Sequence, residues 1–167
     1  SDSASVYLTI KASSATNPKV CYVDEIVVQT SAQSLADIFD GGFIKIYDGT
    51  APATADTALG ASGTNTLLCT IYSDGTSAGL YFQNIGGGTI QKPTLATWSG
   101  TAGNPGTASF FRLVSIGDTG ASAATLNQPR IQGNIATSGA NLNMTTTTIT
   151  ASASQTLTSF SIAIPQS

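Results

Sequence analysis

Apolar and polar residues alternate every second position in this chain, and they do so only in short runs. Val6, Leu8 and Ile10 fall on one side of an extended backbone, with Tyr7 and Thr9 on the other. Ile44 and Ile46 oppose Phe43, Lys45 and Tyr47, and Phe111 and Leu113 oppose Phe110, Arg112 and Val114. Leu142 and Met144 alternate with asparagines, and Phe160, Ile162 and Ile164 alternate with serine and alanine. A strand turns successive side chains to opposite faces, so this pattern predicts strands and not helices. The runs are short and punctuated by Gly, Asp and Asn, as expected of an antiparallel sheet with one wet face.

Composition reinforces the restriction. Ser, Thr, Ala and Gly supply 84 of the 167 residues. β-Branched Thr, Val and Ile are abundant, while strong helix formers other than Ala are scarce. Residues 20–30 are ambiguous, although Val23, Ile26, Val27 and Val28 favour a strand. One stretch stands apart: in Ser34-Leu-Ala-Asp-Ile-Phe-Asp40, Leu35, Ile38 and Phe39 share a helical face. Ser31 or Ser34 is available as N-cap, and Gly41 as a left-handed C-cap. The expectation is a helix of about two turns, held by packing on the sheet. The length fits one domain, 1–167, with residues 1–30 as an N-terminal arm.

The same inventory narrows the chemistry. The chain has no histidine, which removes Ser–His–Asp and Cys–His catalysis and imidazole metal sites. One glutamate, Glu25, and eight aspartates remain for acid–base work. Asp24 and Glu25 are strand neighbours that point to opposite faces; Asp37 and Asp40 read as the polar flank of the helix. Lys11, Lys19, Lys45, Lys92, Arg112 and Arg130 are dispersed, so no basic stripe for nucleic acid is expected. Arg112 and Arg130 are expected on paired strands, meeting carboxylates. No apolar run approaches the ~18 residues of a membrane span. Asp48-Gly49, Asp74-Gly75 and Asp118-Thr119-Gly120 read as turns, since a calcium cage needs several carboxylates close together. Gly86-Gly87-Gly88 reads as a hinge or bulge. No catalytic residue, metal or cofactor is expected.

Cys21 and Cys69 form no metal-binding spacing. They are read as free thiols, as an internal disulfide contributing roughly 4 kcal/mol, or as bonds between subunits; the sequence leaves all three open. Trp98, the five tyrosines and the six phenylalanines offer a sugar platform, although strand aromatics more often fill a core.

Several blocks in fixed order carry a family resemblance. They are Gly106-Thr-Ala-Ser-Phe-Phe-Arg-Leu-Val114, Gly117-Asp-Thr-Gly120, Pro129-Arg-Ile-Gln-Gly133, Thr137-Ser-Gly-Ala-Asn-Leu-Asn143 and Thr158-Ser-Phe160. Upstream, Leu35-Ala-Asp-Ile-Phe-Asp-Gly-Gly-Phe-Ile-Lys-Ile-Tyr-Asp-Gly-Thr50 fits the same series. The set resembles small Gly/Thr/Ala-rich virion-associated proteins encoded beside the capsid and tail genes of tailed bacteriophages and prophages. It covers residues 1–10, 32–72 and 104–165, while 11–30 and 79–103 depart from it, and Asn141 stands where Asp is more usual.

The expectation is therefore an all-β domain, an antiparallel β-sandwich or jelly roll of about eight to ten strands with one short helix. The resemblance implies a non-enzymatic decoration or minor capsid protein of the virion, assembled in the bacterial cytoplasm. Its partners would be the major capsid protein and copies of itself, with a trimer as the working form, and neither nucleic acid nor membrane. Val6, Leu8, Ile10, Phe160, Ile162 and Ile164 are the candidate subunit contacts, through exchange of terminal strands. The alternatives are a neck, collar or tail protein and, in another class, a surface adhesin or carbohydrate-binding module.

Overall fold

The chain divides after Gln33, and the computed structural model describes residues 34–60 and 64–163. The N-terminal arm, with Val6, Leu8, Ile10 and Cys21, lies outside the described residues, as does Ile164.

Among the described residues, one short helix, α1 (Leu35–Phe39), precedes twelve strands. They are β1 (Phe43–Tyr47), β2 (Leu67–Ile71), β3 (Gln83–Gly86), β4 (Thr89–Gln91), β5 (Trp98–Thr101) and β6 (Gly106–Thr107). The series continues with β7 (Phe110–Val114), β8 (Arg130–Ala136), β9 (Leu142–Asn143), β10 (Thr148–Ile149), β11 (Ser154–Leu157) and β12 (Ser161–Ala163). A five-stranded sheet runs β2-β1-β7-β8-β9; β12-β4-β3 form a second sheet, and β10-β6 and β11-β5 pair as ribbons. All pairings are antiparallel except β8 with β9. The fold is all-β and sandwich-like.

The helix forms for a local reason. Ser34 accepts a hydrogen bond from the Asp37 N–H, and the Asp37 carboxylate accepts one from the Ser34 N–H, a reciprocal capping box. Asp37 thus serves the helix end and is more than a polar flank. Gly41, at φ 75°, ends the helix where a side chain would be strained.

Register sets the faces of the large sheet. Ile44 pairs with Leu113 and Ile71, Ile46 with Phe111 and Cys69, and Leu113 with Ile131, so these apolar side chains share one face. The smaller sheets cover that face with Trp98, Ile149, Leu157 and Phe160. Phe160 sits edge-on to Phe111 at 5.7 Å, and Phe82 edge-on to Trp98 at 5.2 Å. Close approach of β5 to β2 requires Gly100, because a Cβ there would lie 1.9 Å from the Thr70 carbonyl oxygen.

The opposite face corrects one expectation. A wet face was predicted, yet all five residues of β7 are buried, Arg112 included. Tyr47 stacks on Phe110 at 5.1 Å, and the 48–59 and 115–129 connections lie over the cations described below. The glycine triplet turns out to be both bulge and turn. The β3–β4 register shifts between Asn84 and Gly86, and Gly87 and Gly88 both take positive φ, as a type I′ hairpin turn requires.

Candidate functional site

The described cations fall into two places, one closed and one open. The closed one lies on the covered face of the large sheet, where Lys45 pairs across from Arg112, Arg112 from Gln132, and Val114 from Arg130. Arg112 is 0% exposed. It donates to the Gly120 carbonyl at 2.7 Å, to the Thr57 carbonyl at 2.7 Å and to Gln132 Oε1 at 2.9 Å. Arg130 grips Asp118 with two bonds, Nε to Oδ2 at 2.5 Å and Nη2 to Oδ1 at 2.7 Å, and donates to the Ser122 carbonyl at 2.7 Å. Lys45 Nζ donates to the Thr119 carbonyl at 2.7 Å, and Gln132 Nε2 to the Pro52 carbonyl at 2.8 Å.

Sequence reasoning expected Arg112 and Arg130 on paired strands, and β7 and β8 are paired. Only Arg130 meets a carboxylate; Arg112 is held by carbonyl oxygens. A guanidinium has five donors in a fixed fork, so it can bind several loop carbonyls at once. The three cations pin two long connections onto the sheet.

The electrostatics follow from burial. Burial pushes the Asp118 carboxyl up, but the hydrogen bonds from Arg130 and the Gly120 N–H, with the Arg130 and Lys45 charges, bring it below the usual carboxylate value. The bond to Asp118 holds Arg130 above its ordinary value. Burial, reinforced by Arg130, pulls Arg112 down, although Tyr47, Asp118 and Asp56 act against it. Burial raises Tyr47 to about 12. Each charged side chain here is bonded to the fold's own groups, so the constellation serves the fold.

The turn aspartates are also occupied. Asp74 accepts from the N–H groups of Thr76, Ser77 and Ala78, each at 2.9 Å, and these bonds draw its carboxyl far down. Asp48 accepts from the Thr66 N–H at 2.6 Å. Both act in turns, as the sequence suggested, although neither closes a two-residue hairpin. Among the described residues, no three His, Cys, Asp or Glu side chains gather as a metal set.

The open place is a cavity of about 410 Å³ beside the end of β4, β9 and the turn into β12. Its lining includes Gln91, Lys92, Asn141, Asn143, Phe160 and Ser161. Lys92 is 9% exposed, and its Nζ reaches the Pro93 carbonyl at 3.4 Å. Nothing in the sequence signals this site: Lys92 is one of six scattered cations, and the cavity's other walls come from distant segments.

The remaining predicted residues are placed as follows. Phe160 is 6% exposed and packs in the chain's own core, with Ile162 half-buried against that core and paired to Ile90. These two were expected at subunit contacts. The apolar area of Phe160 goes largely to the chain's own aromatic cluster, while half-buried Ile162 keeps part of its side chain exposed. Cys69 is a buried free thiol whose Sγ donates weakly to the Thr70 carbonyl at 3.6 Å, and burial raises its pKa to about 11. Trp98 is 0% exposed and presents no ring face to a sugar.

Two edges of the smaller sheet carry no further strand among the described residues: β3, exposed along its whole length, and the outer side of β12. Tyr81 and Ile85 are exposed beside or within β3, and Leu95, Ile116 and Leu126 are exposed elsewhere. Comparison with known protein families, with curated proteins and with solved structures finds no match.

Proposed function

We propose that this chain is a non-enzymatic structural component of a tailed-phage virion, decorating the capsid shell through contacts with the major capsid protein and with copies of itself. The observation that carries the reading is the open edge β3. Among the described residues its outer edge has no partner strand; such an exposed edge is normally protected, and in an assembly a neighbour's strand or loop covers it.

Two features support it. The blocks that resemble virion proteins supply β1, β7, β9 and most of β8 in the large sheet, together with α1 and β6. The divergent residues 79–103 build β3, β4 and β5, where contacts peculiar to one particle would be expected. Moreover, Arg112, Arg130, Lys45, Asp37, Asp48, Asp74 and Asp118 are all engaged in holding turns, loops or the helix end.

Image reconstruction of the intact particle tests the proposal. The expected result is density for this fold on the capsid shell, in hundreds of copies. Copies numbering tens or fewer at the neck or tail would move it there, and absence from purified particles would refute the virion role. Particles lacking the protein should lose integrity at a lower temperature than complete ones.

A further inference from the structure

The Lys92 cavity is not used by the structural role, and its chemistry is specific. Lys92 is 9% exposed, and the only acceptor its Nζ reaches among the described residues is the adjacent Pro93 carbonyl at 3.4 Å. The other described cations differ, since Lys45, Arg112 and Arg130 each donate at 2.7 Å within the closed cluster. The described lining of the cavity contains no carboxylate. With most of its stem covered and no carboxylate in the described lining, Lys92 offers an uncompensated positive charge to an incoming anion.

The neutral groups around it are also oriented. Asn141 Oδ1 accepts from the Asn134 N–H at 3.1 Å, and Asn143 Oδ1 accepts from the Ala140 N–H at 3.0 Å. Both amides are therefore fixed by their oxygens, which leaves their NH2 groups as donors. Ser161 adds a hydroxyl and Gln91 an amide whose Nε2 also donates to Gln83 Oε1 at 3.4 Å, and the exposed edge of the otherwise core-packed Phe160 borders the cavity. One cation, several donors and a patch of aromatic wall match a small ligand that carries both a carboxylate and hydroxyls. The volume of about 410 Å³ is in the range of small-ligand pockets.

We propose that this cavity binds a carboxylate-bearing monosaccharide unit of the hexuronic-acid type. Lys92 Nζ pairs with the carboxylate, and the amides of Asn141, Asn143 and Gln91 and the Ser161 hydroxyl bond the ring hydroxyls. Of the aromatics considered for a sugar platform, Phe160 alone borders this site, and the site does not depend on a place on the capsid.

Titration of isotope-labelled full-length protein with glucuronate, followed by amide and lysine ammonium shifts, tests the assignment. Glucuronate should perturb Lys92, Asn141, Asn143 and Ser161 in a saturable way, and glucose should bind at least about tenfold more weakly. Lys92→Gln should lose the same factor while keeping the wild-type melting temperature. Equal responses to glucose and glucuronate would overturn the proposal, as would acetate matching glucuronate. An aspartate-containing peptide saturating these amides while glucuronate does not would assign the cavity to a protein partner and refute a sugar. Should Lys92→Gln fail to fold, the wild type still decides. Its glucuronate affinity must weaken from low to physiological salt, and salt independence would refute the ion pair.

Discussion

Removing the charge of Asp118 while keeping its shape tests the account of the closed cluster. Asp118 is 4% exposed and accepts two bonds from Arg130 and one from the Gly120 N–H. In Asp118→Asn the Arg130 side chain, itself 1% exposed, stays buried beside Arg112 and Lys45 without its carboxylate. Breaking a buried pair from one side costs about 3–5 kcal/mol. A domain of this size has a total stability of about 5–15 kcal/mol, so the variant should fold but only marginally. With a urea slope of about 2 kcal/mol per molar, the unfolding midpoint should fall by about 2 M at constant slope.

The effect must also depend on pH with a fixed sign. The folded Asp118 pKa lies below its unfolded value, so the contribution is complete above the ordinary carboxylate pKa of about 3.9 and is lost as pH falls through the folded value. Wild type and variant should therefore converge in stability at low pH. A loss under about 1 kcal/mol at neutral pH, the range of a solvent-exposed pair, would refute the reasoning. So would a difference that persists unchanged in acid. The double replacement Asp118→Leu with Arg130→Met should recover much of the loss, because it removes both charges.

Three further outcomes are expected. Phe160→Ala should cost about 3–5 kcal/mol in denaturant unfolding, since the ring closes the core; a loss near zero would return Phe160 to the surface. Gly100→Ala should lower the melting temperature markedly, because its Cβ would meet the Thr70 carbonyl oxygen at 1.9 Å; an unchanged value would refute the close approach of β5 to β2. Cys69, with its pKa raised by burial to about 11, should resist alkylation at pH 8 in the native protein and react on unfolding. Peptide mapping locates the label, and rapid native labelling at Cys69 would contradict its burial.

Much of the fold was legible from the sequence, and the legible parts share a property. The capping box of Ser34 and Asp37 spans three residues, and the alternation that predicts β1, β7 and β12 spans about five. Both follow from local covalent geometry. The β5–β11 ribbon was not anticipated, because Ser99, Gly100, Thr101, Ser154, Gln155 and Thr156 carry little apolar contrast for a period to show. The β3–β4 hairpin, exposed along β3, shows in the sequence only as a glycine triplet. Phe160 was rightly placed on an alternating run, yet its partners, Phe82, Trp98 and Phe111, are far away in sequence.

The chain alone determined a small-residue, strand-rich fold with one capped helix and turns at its Asp-Gly sites. Tertiary structure decided which faces meet water. Arg112, on the face that alternation marks as solvent-facing, became a buried anchor because connections from residues 48–59 and 115–129 fold over it. Lys92, unremarkable in sequence, became the buried cation of a cavity because β4, β9 and the turn before β12 converge there. Strand periodicity tells where a side chain points along its own backbone. What it meets is set by segments dozens of residues away, whose approach no local pattern encodes.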